Sequence, residues 1–382
     1  MIVKPSADLI TKDSSCEDSN YIFNSNLSQV IKDVRQELGK TRQEDGHWLF
    51  ELEADTTIPA EYILLGHFLN ERDVDTEQRL AKYIRSNQEN HGGWPLFPGG
   101  RLDVSCSVKA YWALKLVGDK PSEPHMQKAC EAILNSGGAA KSNVFTRTTL
   151  ALFEQVPWRA VPSMPVEIIF LPQWFPFHLN KISYWSRTTL VPLMVLMSLR
   201  PKARNPTNTN IKELFCKPVE EEIYFKAIGG LSRIFFILDR LLVNYEKIVP
   251  TSFRRKAIDK ALKWCTKRLN GEDGLGAIFP PMANLLMVLD TLGYGKDDAL
   301  RTTVRKSIDL LLTSPSQNQQ YCQPCLSPVW DTGLAVHAML EAGESPNETK
   351  MLRTLDWLVE KQIKDVKGDW SLGRKNLSPG GW

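Results

Sequence analysis

The sequence predicts an all-α protein of the double-ring (α/α) barrel type. Three observations carry that expectation. An amphipathic helix, a Gln-containing turn that closes on Gly-x-Trp, and an apolar helix recur in this order along the chain. No stretch alternates apolar and polar residues with the period of two that a half-buried strand requires. The 11 tryptophans are not scattered, because several stand at the ends of these turns. A unit of this kind cannot bury its apolar face alone, so copies must stack.

The elements follow in order. Residues 1–26 are polar and are expected to be poorly ordered. Leu27, Val30, Ile31, Val34 and Leu38 recur at helical spacing, and Gly39 ends that helix. The turn Gln43-Glu44-Asp45-Gly46-His47-Trp48 follows, and then Ala60–Leu69, apolar nearly all round and therefore an inner, buried helix. In the second copy Leu80, Tyr83 and Ile84 lead to Gln88 and Gly92-Gly93-Trp94, and the inner helix is 107–117. A weaker copy runs from Leu262 and Trp264 through Gly271-Glu272-Asp273-Gly274-Leu275, with Leu275 in the tryptophan's place, to the inner helix 282–292. Near the end Leu355, Leu358 and Val359 lead to Gln362, and Gly368-Asp369-Trp370 closes the unit. A Gln amide can satisfy orphan groups at a helix end, glycine allows the tight backbone, and the indole covers both. One stretch joins a proline-rich turn to an apolar helix: Ser327-Pro328-Val329-Trp330-Asp331-Thr332-Gly333-Leu334-Ala335-Val336. Proline sets the helix entry, and Asp331 stands where the helix dipole favours negative charge.

Composition excludes several classes. With 42% hydrophobic and 24% charged residues the chain is ordinary for a globular protein. A net charge of +3 is too small to argue for nucleic acid, and supports at most a mild attraction to anionic lipid. The first 21 residues carry Asp8, Asp13, Glu17 and Asp18 and no apolar core, so they are no secretory signal. No window reaches the apolar length of a membrane span. Seven cysteines, an odd number, fit a reducing cytosol better than a disulfide framework. Cys322-x-x-Cys325 has no second pair, and His47, His91 and His178 form no helical ligand pair, so no metal is expected. Nothing resembles a phosphate-cradling loop, and no cofactor is implied.

With these residues in view the chain resembles the squalene–hopene cyclases, bacterial class II triterpene cyclases whose repeated QW motifs look like the Gln…Gly-x-Trp turns. Further segments carry the likeness: Val144-Phe145-Thr146-Arg147, Pro157-Trp158, Tyr184-Trp185-Ser186-Arg187, Asp273-Gly274-Leu275-Gly276-Ala277-Ile278-Phe279-Pro280-Pro281, 327–336 and Gly380-Gly381-Trp382. The likeness runs from about Leu27 to the last residue. In that family a Gly-Gly-aromatic segment is soon followed by Asp-x-Asp-Asp, whose middle Asp protonates the terminal alkene, and this motif is absent here. The look-alike Asp73-Val74-Asp75-Thr76 lacks the last Asp and sits in a polar turn. The resemblance thus implies an N-terminal part of a cyclase with no catalytic acid of its own, inactive alone. It further implies an inserted barrel at 50–326, with 27–49 and 327–382 as edges of a second, partial barrel.

What the resemblance implies for the site follows residue by residue. Trp185, Ile278, Pro280 and Trp330 match residues lining an apolar substrate cavity. There aromatic faces would stabilise cations by roughly 0.5–2 kcal/mol per contact. Asp331 and Glu61 match carboxylates at opposite rims of that cavity; a plain buried ion pair is the alternative for Glu61. Lys109 and Asp103 lie near the Glu61 end and are expected to be structural. The QW residues are Gln43, Trp48, Gln88, Trp94, Gln362 and Trp370. Residues 231–243 are strongly apolar yet too short to span a bilayer, which leaves a core helix or a monotopic docking helix. On the docking reading Ile234, Phe235, Phe236, Leu238, Leu241 and Leu242 face the membrane. The implied partners are squalene or a related C30 polyene, a membrane surface and the missing C-terminal half, with a homodimer left open; the implied location is cytoplasmic, on the inner membrane face. Leu334, Val336, Met339 and Leu355 are expected to present apolar faces to absent barrel helices. A non-catalytic toroid scaffold, or one half of a split cyclase, is the alternative.

Overall fold

The computed structural model describes residues 14–225, 229–316, 318–372 and 376–382, the side chains of 14–25, 231, 232, 235 and 315 excepted. The chain divides into two compact units, one of Met1–Phe50, Ser327–Val366 and Ser378–Trp382, the other of Glu51–Leu326 and Lys367–Leu377. Among the described residues the regular elements are helices, apart from one short hairpin, so the all-α class is the class observed.

In the larger unit, helices that are apolar on every side form the inside and amphipathic ones the outside. The inner α2 (Thr57–Leu69) is buried from Ile58 onward except at Glu61. It packs against α4 (Val104–Val117) and α10 (Phe279–Thr291), and α10 in turn packs against α7 (Tyr184–Leu199). The outer helices α3 (Val74–Ser86), α5 (Pro124–Asn135), α9 (Thr251–Thr266) and α11 (Ala299–Asp309) bury one stripe each, such as Leu80, Ala81 and Ile84. Local chemistry fixes the starts. Asp73 accepts the amides of Asp75 and Thr76, Asp103 that of Cys106, and Asn143 that of Thr146, which opens α6 (Val144–Leu152). Pro280 stands in the first turn of α10, where its missing N–H costs nothing. The look-alike Asp73-Val74-Asp75-Thr76 is therefore a helix cap. The Thr76 hydroxyl donates to Asp73 at 2.7 Å and holds its carboxyl below the usual range, the opposite of an alkene-protonating acid.

Strand β1 (Leu312–Ser316) pairs antiparallel with β2 (Gln319–Cys322), and Tyr321 stacks on Tyr83 with ring centres 5.3 Å apart. This hairpin has no signature in Leu-Thr-Ser-Pro-Ser-Gln-Asn-Gln-Gln-Tyr-Cys, which does not alternate. Lys367–Leu377 also belongs to the larger unit, where Asp369 accepts two bonds from Arg268, at 2.5 and 2.6 Å.

The smaller unit consists of α1 (Ser14–Lys40), α12 (Pro328–Glu341) and α13 (Thr349–Lys361) around Trp48, Ala335, Val336, Met339 and Met351. Two expectations change here. Helix α1 starts at Ser14, inside the segment read as polar and poorly ordered, while 1–13 lie outside the described residues. Val336 and Met339 are buried in this unit's own core, and Leu355 is half-buried against it. The exposed apolar residues of α12 are instead Trp330 and Leu334, one turn apart.

The Trp turns share one hydrogen-bond grammar. Trp94 is fully buried, and its indole N–H donates to the Ile84 carbonyl at 2.7 Å. The Glu89 amide donates to the Gly93 carbonyl, and the Gln88 amide nitrogen to the Gly92 carbonyl at 2.6 Å. The last copy repeats all three bonds with Trp382. Its indole donates to the Leu358 carbonyl at 2.6 Å, the Ile363 amide to Gly381, and Gln362 to Gly380 at 2.7 Å. Gln362 therefore closes its turn on Trp382, whereas Trp370 lies in a 3₁₀ turn of the other unit. In the first copy Trp48 donates to the Leu38 carbonyl at 2.9 Å, and the Gln43 amide, not the residue after it, donates to the carbonyl preceding the tryptophan. The place of Gln88 thus falls to Arg42, and Gln43 stands one position further on. Arg42 lies 4.4 Å over the Trp48 ring and pairs with Glu344 at 2.8 Å. The glycine two residues before each tryptophan has positive φ (101° at Gly46, 91° at Gly92, 135° at Gly380). A Cβ on Gly92 would stand 2.6 Å from the Lys128 carbonyl oxygen, so both conformation and space demand glycine.

Candidate functional site

The larger unit contains a cavity of about 270 Å³ between its inner helices. Leu64, Leu65 and Phe68 of α2, Phe153, and Ala283 and Met287 of α10 supply apolar walls. That is the composition expected of a site for an apolar ligand. Two charged residues interrupt the walls. Glu61 projects from α2, and the Lys109 ammonium of α4 bonds directly to its Oε1. Lys109 is almost fully buried while Glu61 keeps partial contact with the outside. The pair leaves no net charge at this point, and a buried ammonium persists only with such a partner. Pro280 lies on the same lining, brought there by the first turn of α10.

The other sequence-predicted residues stand elsewhere. Ile278 is half-buried in the extended segment before α10 and bridges backbone to backbone with Cys325. Trp185 is 54% exposed at the start of α7, where Ser183 caps the helix by accepting the Ser186 amide. Thr189, one turn further on and bonded through its hydroxyl to the Trp185 carbonyl, and Leu193 are the α7 residues that line the cavity. Trp330 belongs to the smaller unit and is 70% exposed at the start of α12. Beside it Asp331 accepts the Phe50 amide at 3.0 Å and the Ser327 hydroxyl at 3.0 Å, which ties the chain before Glu51 to the helix start. Sequence reasoning counted Lys109 as structural and did not pair it with Glu61. A lone lysine within Val-Ser-Cys-Ser-Val-Lys-Ala-Tyr-Trp, an apolar helix, was the signal that a buried carboxylate must face it.

Among the described residues, Asp119, Glu123 and His125 bring ligand-type atoms within 4.8 Å of one another. Burial pushes the Asp119 carboxyl up, but Arg85, bonded to it at 2.8 and 2.6 Å, and His125 at 2.7 Å more than offset this. A guanidinium already fills the place a cation would take. The Cys322 thiol is pushed well up by burial, which disfavours the thiolate a metal would need.

Helix α8 (Gly230–Ile248) carries the stretch read as membrane-facing. Ile234 and Leu241 are exposed and Phe236 partly so; Leu238 and Leu242 are half-buried, turned towards the body. The side chain of Phe235 lies outside the described residues. Ile237, Tyr245 and Ile248 complete the exposed stripe at helical spacing. Among the described residues no helix is long and apolar enough to cross a membrane.

A ring of paired helices with Gln–Trp turns and an apolar inner cavity defines a toroid of the terpene cyclase type. The family model for the squalene-hopene cyclase N-terminal domain matches residues 31–316, and that for the C-terminal domain matches 326–382. The chain belongs to the squalene–hopene cyclase family. It is 47% identical over 366 residues to the squalene–hopene cyclase of Zymomonas mobilis, covering 94% of this chain and 56% of that one. It is 50% identical over 377 residues to that of Bradyrhizobium diazoefficiens, covering 97% and 56%, and 43% identical over 367 residues to that of Schizosaccharomyces japonicus, covering 93% and 56%. The chain thus spans little more than half the length of these relatives.

Proposed function

We propose that this chain is the N-terminal portion of a triterpene cyclase that converts squalene, or a related C30 polyene, to hopene or hopanol. The observation that carries the reading is the near-half identity to squalene–hopene cyclases across almost the whole chain. In such a reaction a proton adds to the terminal alkene, successive π bonds close onto the cation, and the last cation loses a proton or takes up water. Water must be excluded and cations stabilised without capture. In the proposed arrangement Pro280 lines the cavity of the larger unit, and Ile278, with Trp185 and Trp330, each exposed in its own unit, are the proposed substrate contacts of the longer protein; Asp331 holds the start of α12 through the Phe50 amide. No residue of the 382 is assigned as the proton donor, because Asp-x-Asp-Asp does not occur among them. The exposed Trp330 and Leu334 support a docking face for further barrel helices, and the exposed stripe of α8 supports monotopic docking on the inner, cytoplasmic membrane face. No cofactor is called for.

The test is squalene turnover. The purified 382-residue chain should give no hopene or hopanol, and the same chain joined in frame to the remaining segment of a relative should give product. Product from the chain alone would overturn the assignment of the acid. No product from the joined protein, if it is folded by circular dichroism, would favour the non-catalytic scaffold.

A further inference from the structure

Asp369 is the single carboxylate of Lys367–Leu377, a segment that belongs to the larger unit although it follows α13 of the smaller one. Its side chain is nearly buried and stands between two guanidiniums. Arg268 grips it with Nε on Oδ2 at 2.5 Å and an η nitrogen on Oδ1 at 2.6 Å. Arg268 is itself fixed to the end of α9, where its other η nitrogen bonds the Trp264 carbonyl at 3.0 Å and its guanidinium lies 3.9 Å from the Trp264 ring centre. This grip leaves Oδ1 3.8 Å from Arg187. Burial raises the Asp369 carboxyl, but the two guanidiniums lower it by more, so it stays charged at neutral pH. Arg187 belongs to the first turns of α7, two residues after Trp185. Its side chain is only 8% exposed, and Asp369 is the carboxylate that faces it among the described residues. Its Nε is buried without a hydrogen-bond partner. From Arg187 the contacts run on to Trp185. The guanidinium lies 6.0 Å from the Tyr184 ring centre, and Tyr184 meets Trp185 edge to face with ring centres 5.8 Å apart.

A buried guanidinium stays inside only while a counter-charge faces it. Without the Asp369 charge, Arg187 and Arg268 confront each other unscreened, and Arg187 is driven outwards. The turn that carries Tyr184 and Trp185 then loses the group packed behind it. We propose that Asp369 is a positioning residue for the cyclisation, which fixes the direction of the Trp185 ring through Arg187 and Tyr184. It touches no substrate in this role. An aromatic face stabilises a cation only when the cation lies over it and close to it. A misdirected ring therefore weakens the cation-forming steps and spares the binding of the neutral polyene. The role in turnover rests on Trp185 being a substrate contact, as proposed above, whereas the hold on the ring is measurable without that reading.

The experiment begins with fluorine NMR of the 382-residue chain labelled with fluorotryptophan, the Trp185 resonance being the one lost in Trp185→Phe. Asp369→Asn should shift that resonance, and Asp369→Glu, which keeps the charge, should leave it near the parent position. Asp290→Asn is the control. Asp290 is likewise nearly buried between two arginines, Arg204 at 2.9 and 3.2 Å and Arg301 at 2.9 Å, but it stands in the last turn of α10. Its loss should cost comparable stability and leave the Trp185 resonance in place. Where Asp369→Asn does not fold, Arg187→Met/Asp369→Asn removes the stranded cation together with the carboxylate and cuts the same link, so the resonance should shift there too. An unmoved resonance, or an equal shift in Asp290→Asn, overturns the proposal. In the joined protein described above, Asp369→Asn should lower kcat about ten-fold, keep KM within about two-fold and raise the share of incompletely cyclised product, and Asp369→Glu should recover most of the loss. A shifted resonance with unchanged kcat and products overturns the role in turnover. A folded, joined parent that makes no product overturns the cyclase reading, and the resonance then still decides whether Asp369 holds Trp185.

Discussion

Ser107 offers a clean perturbation of the Trp-turn grammar. It is fully buried, its hydroxyl accepts the Trp94 amide at 2.9 Å, and it donates to the Trp94 carbonyl at 3.2 Å. Ser107→Ala keeps the Cβ and removes one oxygen, so almost no cavity forms. The Trp94 carbonyl keeps a second donor, the Asp103 amide at 3.1 Å. The Trp94 amide keeps none, and a buried N–H left unpaired costs about 1–3 kcal/mol. Thr332 makes the same two bonds to Trp48 in the smaller unit, at 2.9 and 3.2 Å, so Thr332→Val should cost a similar amount there. Ser142 is the control: it is buried, but its hydroxyl has no partner, so Ser142→Ala should be neutral or slightly stabilising. Urea unfolding measures the midpoint shifts, and hydrogen exchange of peptides around Trp94 and Trp48 reads each unit separately. A Ser107→Ala protein within about 0.5 kcal/mol of the parent would refute the reasoning, as would an equal loss in Ser142→Ala.

Two further outcomes follow from the same contacts. Arg42→Met leaves the nearly buried Glu344 unpaired and should cost about 3–5 kcal/mol, most of it recovered in Arg42→Met/Glu344→Met; a double variant as unstable as the single one counts against it. Burial raises the carboxyls of Glu77, Asp119 and Asp369, but His67 and Arg72, Arg85 and His125, and Arg268 and Arg187 lower them by more. Because the folded values are depressed, this stability is whole above the ordinary carboxylate range and is lost as pH falls through the folded values. Unfolding should therefore set in below about pH 4, and Asp119→Asn should flatten that dependence; an unchanged acid profile in Asp119→Asn contradicts the assignment.

The sequence made the helical units legible wherever the pattern was local. Ala60–Leu69 reads as buried because no polar face interrupts it, and Gln88 to Trp94 sits within seven residues. It misled where the turn was not local. Gln362 closes on Trp382 across the intervening segment Ile363–Pro379, and the nearer Gly368-x-Trp370 offers the same residue types at plausible spacing. Gln43 misled for a subtler reason. Three residues separate Gln88 from Gly92 but only two separate Gln43 from Gly46, and Arg42 restores the longer spacing. A glutamine written beside the right place outweighed a spacing that was wrong by one. The faces of α8 were likewise beyond the sequence, because apolar residues stand on both sides of the helix, and nothing local tells Leu238 and Leu242, half-buried, from Ile237 and Ile248, exposed.

The Glu61–Lys109 pair joins fold to proposed chemistry. An unpaired carboxylate beside a carbocation would strip its proton or bond to it, and an unpaired ammonium would repel it. Bonded to each other across α2 and α4, they present the apolar cavity with a dipole in place of a charge. The same pair bridges α2 to α4, and the Trp94 turn positions α4 independently: Trp94, anchored by Ser107 of α4, fixes that helix against the end of α3. The cap, the indole and the ion pair thus converge on one helix. The turn that makes the ring stable is also what places Lys109 opposite Glu61, so a change in the Trp94 turn should reach the cavity before it unfolds the ring.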